Sequence, residues 1–174
     1  MKWFKKDDYD QIYEVNMKLF YKLNDNYNRN NIIKYDDNSF GCDGNDTYYF
    51  DYQVALISSR PFILNFDIYS KKCLSCERYI WYDKKTKNEN ICIDKFSKGE
   101  LLIEAEYFDI ELPICEYLLK DNIKIDFNRS RICIGDINND EVIMFGNGQY
   151  ASFQNNKLIG VIVDFKNENF GDKN

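Results

Sequence analysis

Residues 48–96 restrict the fold more than any other part of this sequence, because aromatic and β-branched side chains dominate them. Such residues suit a pleated, half-buried surface. The densest runs are 48–58, 62–69, 77–82 and 90–96. In the second run Phe62, Leu64 and Phe66 alternate with other residues, and it follows Pro61, which cannot donate to a strand ladder. We therefore predict an antiparallel meander with one covered face.

The last third of the chain returns to the strand pattern. The strands predicted there cover residues 123–127, 131–134, 141–146, 150–154 and 157–165. Asn155 and Asn156 join the final two strands as a two-residue hairpin loop, because asparagine tolerates positive φ. Residues 136–140 connect an earlier pair.

Two helices are predicted beside the strands. Ile12, Val15, Leu19 and Leu23 recur at helical spacing, and an aspartate is placed to cap this helix over residues 8–24. A short helix over residues 113–120 would carry a proline in its first turn.

Residues 101–112 fit either a strand or a helix. Apolar residues alternate as far as Tyr107 and shift phase at Phe108, which a β-bulge would explain. A helix would instead place Leu101, Ala105 and Phe108 on one face. We favour the strand.

These patterns together predict an α+β fold. The N-terminal helix packs on a mostly antiparallel, meander-rich β-sheet, and one short helix lies near residues 113–120. The length fits a single domain over residues 1–174, with frayed ends at 1–7 and 166–174. Charges occupy the positions where a signal peptide is apolar, and no apolar run is long enough to cross a bilayer. We therefore expect a cytoplasmic protein without a membrane segment.

The six cysteines of the chain fit reduced thiols better than a disulfide framework, because their spacing is irregular. Cys92, Cys115 and Cys133 lie beside isoleucines, where a small apolar core residue belongs. Cys73 and Cys76 form a single CxxC pair, whereas a structural zinc site needs a second pair. We expect no metal and no cofactor.

The absence of histidine excludes the common hydrolase arrangements, since a Ser-His-Asp or Cys-His site needs an imidazole. Paired carboxylates remain as the main route to catalysis. The net charge of −6 argues against direct binding to nucleic acid or to an anionic membrane. A basic protein partner fits the charge better.

Residues 25–47 form a polar segment that we predict to be a loop with one short strand at most. Aspartates alternate there with aromatic residues, a combination that suits contact with a basic protein. The predicted partner-binding residues are Tyr27, Tyr35, Asp36, Asp37, Asp43, Asp46, Tyr48 and Tyr49. The alternative is a mobile surface loop whose composition reflects the asparagine-rich and aspartate-rich bias of the whole sequence.

The chain resembles the small acidic immunity proteins that bacteria encode beside polymorphic or contact-dependent toxins. The resemblance rests on its size, its acidity, the predicted leading helix before a β-rich body, and the closing hairpin over residues 148–165. It implies a non-enzymatic inhibitor that binds and neutralises a cognate toxin. The acidity of the chain would suit a toxin that is a nuclease. The alternatives are a phage-encoded or virus-encoded inhibitor of a host defence protein and, third, a carboxylate-dependent enzyme.

Overall fold

A computed structural model of the protein describes residues 17–27, 31–36, 39–44, 52–57, 62–67, 69–79, 88–105, 114–119 and 123–165. Within these ranges the regular elements are thirteen strands, and none is a helix. The predicted α+β class with an N-terminal helix is therefore wrong for the described part of the chain. The prediction of mostly antiparallel sheet is confirmed.

The strands fall into two sheets. The first six in chain order are β1 (Met17–Leu23), β2 (Asn31–Asp36), β3 (Ser39–Gly44), β4 (Tyr52–Ile57), β5 (Phe62–Phe66) and β6 (Cys73–Tyr79). The others are β7 (Ser97–Ala105), β8 (Ile114–Leu118), β9 (Ile123–Asp126), β10 (Arg131–Gly135), β11 (Val142–Gly146), β12 (Gln149–Gln154) and β13 (Lys157–Asp164).

One sheet has seven strands in the order β1-β7-β11-β12-β13-β10-β9, and only the β7–β11 pair is parallel. Strands β11, β12 and β13 follow one another as hairpins, and β10 returns to lie beside β13. This arrangement of four antiparallel strands is a Greek key. The predicted connection at 136–140 therefore joins β10 to β11 across the ends of two other strands.

The crossing at this connection needs glycine at two positions. Gly135 has a φ of 84°, and a Cβ there would overlap the carbonyl oxygen of Ile159. A Cβ on Gly160 would overlap the carbonyl oxygen of Asp136. The Asp136 amide donates to the Ile159 carbonyl at 2.8 Å, so the connection lies directly against β13.

The other sheet has six strands in the order β2-β3-β6-β5-β4-β8. Strands β4, β5 and β6 form an antiparallel meander as predicted, although β6 begins four residues before the third predicted strand, 77–82. Strand β8 pairs with β4 in parallel, from Gln53 opposite Ile114 to Ile57 opposite Leu118. Strand β2 lies at the far edge and pairs with β3.

The predicted helix over residues 8–24 is replaced, in its described part, by strand β1. Lys18 and Lys22 are exposed, whereas Leu19 is 1% exposed and Tyr21 packs against the same core cluster, as alternation along a strand places them. Leu23, which the helical spacing assigned to the core, is 58% exposed. Pairing with β7 along the whole of β1 overrides the helical pattern. The part of the predicted helix before residue 17 lies outside the described residues.

Three other predictions have clear outcomes. The short helix near 113–120 is wrong, because Ile114–Leu118 is a strand held by its parallel partner. The preference for a strand after residue 101 is confirmed by Ser97–Ala105, whereas the predicted bulge lies outside the described residues. The strand predicted over residues 90–96 is wrong, because these residues belong to no strand of either sheet.

Among the described residues, one large buried cluster contains side chains from both sheets. Leu64 and Phe66 of β5 pack in the same buried cluster as Phe145 of β11 and Phe153 of β12. Each of these four side chains is 1% exposed or less. Face-to-face packing of two sheets explains why aromatic and branched side chains alternate along so many strands. In the part of the chain that the structure describes, no helix has the length and apolar character of a membrane span.

Candidate functional site

The segment predicted as an acidic binding loop is mostly a β-hairpin at the edge of the six-stranded sheet. Strands β2 and β3 pair in continuous register, from Asn31 opposite Gly44 to Asp36 opposite Ser39. The loop prediction for these residues is therefore wrong. The density of asparagine and aspartate concealed the strands, since these residues are more common in turns.

Three of the predicted binding residues lie on the hairpin. Tyr35 and Asp36 lie on the edge strand β2, and Asp43 lies on β3 opposite Ile32. Tyr27 follows β1, is half-buried, and donates its amide hydrogen to the Asn24 carbonyl at 2.9 Å. The remaining predicted residues, Asp37, Asp46, Tyr48 and Tyr49, lie outside the described residues.

The charge of this region is acidic. Between residues 25 and 49 the sequence has five aspartates against one arginine and one lysine. Because β3 also pairs with β6, the aspartates of the hairpin sit on a strand pair anchored to the meander. A strand pair held in this way gives an acidic surface a defined backbone geometry, which favours binding through reduced ordering cost.

A second polar cluster, which the sequence analysis missed, lies on the outer face of the seven-stranded sheet. Asp126 of β9, Arg131 of β10 and Asp164 of β13 are in register on three neighbouring strands. The Arg131 Nε donates to Asp164 Oδ2 at 2.9 Å. Both aspartates are almost fully buried, at 1% and 2% exposure.

These charged residues fasten residues 88–96, which we call the strap. The Ile91 amide donates to Asp126 Oδ2 at 2.9 Å, and the Ile91 carbonyl accepts from Arg131 Nη1 at 2.9 Å. Arg129 adds an ion pair to Asp126 at 3.0 Å and donates to the side chain of Asn90. The main chain of Ile91 is therefore held by two charged side chains, the buried Asp126 carboxylate at its amide and the partly buried Arg131 guanidinium at its carbonyl.

The strap covers a second, smaller apolar cluster. Ile91 is fully buried there against Cys133, Tyr150 and Ile162. Phe96 packs edge-on against Tyr150 with ring centroids 5.4 Å apart, yet remains 47% exposed. The strap therefore covers part of the outer face of the seven-stranded sheet, as the six-stranded sheet covers its inner face.

Burial, hydrogen bonds and neighbouring charges shift the pKa values of three groups in this region. Burial raises the pKa of the Asp126 carboxyl, but hydrogen bonds from Ile91 and Arg129 and the charge of Arg129 outweigh it, so the pKa is lowered. Burial raises the pKa of the Cys133 thiol to about 12, which leaves it protonated and unreactive. Burial, followed by the charge of Asp164, also raises the pKa of Tyr150.

Three buried side-chain atoms in this sheet, on Gln149 and Asp164, have no hydrogen-bond partner. Gln149 is 0% exposed, and both its Nε2 and its Oε1 are unpaired. Asp164 Oδ1 is also unpaired, although its other oxygen bonds Arg131. Gln149 is in register with Val163, which belongs to the large core, so Gln149 faces that core. Asp164 follows Val163 in β13 and therefore faces the opposite side of the sheet.

The CxxC pair lies within strand β6. A register shift opposite Asn65 and Phe66 puts an extra residue between Cys73 and Cys76, and both side chains enter the large core. Among the described residues, no three histidine, cysteine, aspartate or glutamate side chains are grouped to hold a metal ion.

The polar cluster of Asp126, Arg131 and Asp164 could not be recognised from the sequence pattern alone. Asp126 and Arg131 flank a short turn, a place where charged residues are ordinarily solvated. Their burial depends on the strap, which arrives from residues 35 to 40 positions earlier in the chain.

Comparison with known proteins found no matching family model, no matching curated protein and no matching solved structure.

Proposed function

We propose that this protein is a non-enzymatic inhibitor that binds a basic protein partner through the β2–β3 hairpin, in the manner of an immunity protein that neutralises a toxin. The observation that carries the proposal is the position of the hairpin. Tyr35 and Asp36 lie on β2, an edge strand of the six-stranded sheet where a partner can approach, and Asp43 lies on the neighbouring strand β3. Acidity at such an edge steers a basic surface into contact.

The net charge of −6 supports the same assignment. A toxin that acts on nucleic acid needs a positive surface for its substrate, and an acidic inhibitor complements that surface. We propose that neutralisation takes place in the cytoplasm. The burial of the Cys133 thiol as an apolar core residue suits a reducing compartment.

The test begins with a tagged full-length chain in its native host, from which bound proteins are purified and identified. The captured protein is then made separately, and its activity is titrated with the purified chain. We expect complete inhibition near equimolar ratio. A captured protein whose activity is unaffected, or whose surface is acidic, would contradict the proposal.

Charge variants connect this activity to the hairpin. Asp36→Lys with Asp43→Lys reverses two charges on the hairpin, and Asp94→Lys with Asp140→Lys makes the same net change at two exposed positions elsewhere. We expect association with the partner to slow about tenfold or more at low salt for the first pair and by no more than about twofold for the second. Equal effects of both pairs would place the binding surface outside the hairpin.

A further inference from the structure

We infer that the edge strand β2 binds its partner by accepting an extended strand of the partner as a seventh strand of the six-stranded sheet. This inference rests on the proposed function and specifies how the partner is held. Strand β2 pairs with β3 on one side, and no described strand of the chain lies on its other side. Main-chain groups on that side are therefore arranged to bond another strand.

The register of the hairpin identifies which main-chain groups point outward. Asp36 and Ser39 are opposite each other and have only two residues between them in the sequence, so they are a hydrogen-bonded pair of the ladder. Hydrogen-bonded and non-bonded pairs alternate in an antiparallel ladder. Lys34 and Ile32 therefore bond β3, whereas the amides and carbonyls of Ile33 and Tyr35 point away from it.

Two of the other three described edges, those of β9 and β1, are less suited to this role. The β9 edge is already occupied, because Asn88 bridges to Ile125 and the Glu89 amide donates to the Ile125 carbonyl at 2.8 Å. The β1 edge carries exposed Lys18 and Lys22, whose charges discourage a basic partner. The aspartates of the hairpin instead favour a strand rich in lysine and arginine. The occupant is thus an extended basic segment of a protein.

Proline substitution tests the main-chain contact directly. In Ile33→Pro the outward amide is lost while the bonds to β3 remain, because proline is tolerated on an edge strand where its nitrogen faces solvent. Ile33→Ala is the matched control, since it shortens the side chain but keeps the amide. Lys34→Pro checks the register, because it removes a bond to β3 and should therefore lower the urea midpoint of unfolding, which Ile33→Pro should leave nearly unchanged.

The probe is an end-capped peptide of about nine residues that alternates lysine with valine, long enough for one strand. Amide hydrogen exchange is measured on the full chain with and without this peptide. We expect the amides of Ile33 and Tyr35 to exchange at least about tenfold more slowly with the peptide bound. We also expect Ile33→Pro to weaken peptide binding at least about tenfold relative to Ile33→Ala.

The outcomes separate this inference from the proposed function. Protection at another edge, absence of binding at millimolar peptide, or equal binding by Ile33→Pro and Ile33→Ala would overturn strand addition at β2. Peptide binding at β2 by a chain that inhibits no captured protein would retain strand addition and reject the inhibitor assignment. If the captured protein binds more weakly to the Asp36 and Asp43 charge variant but equally well to Ile33→Pro and Ile33→Ala, the inhibitor assignment is retained and strand addition at β2 is rejected.

Discussion

Replacing Gln149 by methionine should make the protein more stable. The glutamine side chain is fully buried, and neither its amide nitrogen nor its amide oxygen has a hydrogen-bond partner. In the unfolded chain water satisfies both groups, so folding loses these bonds without replacement. Methionine has a similar length and flexibility and carries no strong polar group, which makes it the closest apolar substitute.

The expected gain follows from this burial. An unsatisfied buried polar group costs about 1–3 kcal/mol, and Gln149→Met should recover most of that cost. For a chain of this size, 1 kcal/mol corresponds to about 2–4 °C, so Tm should rise by about 2–12 °C. Urea unfolding followed by intrinsic fluorescence gives the free energy, and a thermal melt gives Tm.

Gln154→Met is the control, because Gln154 is the exposed last residue of the same strand. It should change stability by no more than about 0.5 kcal/mol. A loss of more than about 1 kcal/mol for Gln149→Met would refute the reasoning. That result would show that the Gln149 amide holds a bound water or ligand whose hydrogen bonds methionine cannot replace.

Four further predictions concern single residues. Because the folded pKa of Asp126 is lowered, its contribution to stability is present above the unfolded value of 3.8 and is lost as pH falls through the folded value. The free energy of unfolding should therefore fall less steeply with decreasing pH in Asp126→Asn than in wild type. Equal slopes would contradict this. Gly160→Ala should cost about 2–4 kcal/mol in urea unfolding, since its Cβ meets the carbonyl of Asp136, and a neutral result would show that the crossing relaxes. Asn156→Gly should add about 0.5 kcal/mol, because residue 156 has a φ of 59° in a two-residue hairpin, and a loss would contradict the turn geometry. Native alkylation at pH 8 read by mass spectrometry should modify half-exposed Cys92 well before buried Cys133, and the reverse order would contradict the burial of Cys133.

The sequence predicted the C-terminal strands well because local signals define them. Alternating apolar residues and short turns place strands β9 to β13 within one or two residues of their observed bounds. Asn155 and Asn156 have φ values of 52° and 59°, which confirms the predicted hairpin. Hairpins between neighbouring strands need only local information, so a single sequence is sufficient there.

The first described residues show why the helix prediction failed. In Met17–Leu23 the apolar residues satisfy helical spacing and strand alternation over so short a run. The choice is made by β7, which lies about eighty residues away in sequence and pairs with every residue of β1. No pattern within the segment reports that partner.

The strap shows the opposite error. Ile91 and Ile93 alternate with polar residues as a strand would, but the Ile91 main chain bonds the side chains of Asp126 and Arg131 instead of a neighbouring strand. At the candidate interface, the sequence located the acidic and aromatic residues but not the hairpin that carries Tyr35, Asp36 and Asp43. Long-range pairing, which composition does not encode, accounts for both differences.

The position of β7 sets the order in which this protein can be completed during synthesis. Strand β7 joins β1, from early in the chain, to β11, from its last third. Strand β13 then enters between β12 and β10, so the sheet stays open until Lys157–Asp164 have left the ribosome. Until that moment β10 and β12 each expose an unpaired edge, which makes the nascent chain dependent on chaperones and sensitive to premature termination.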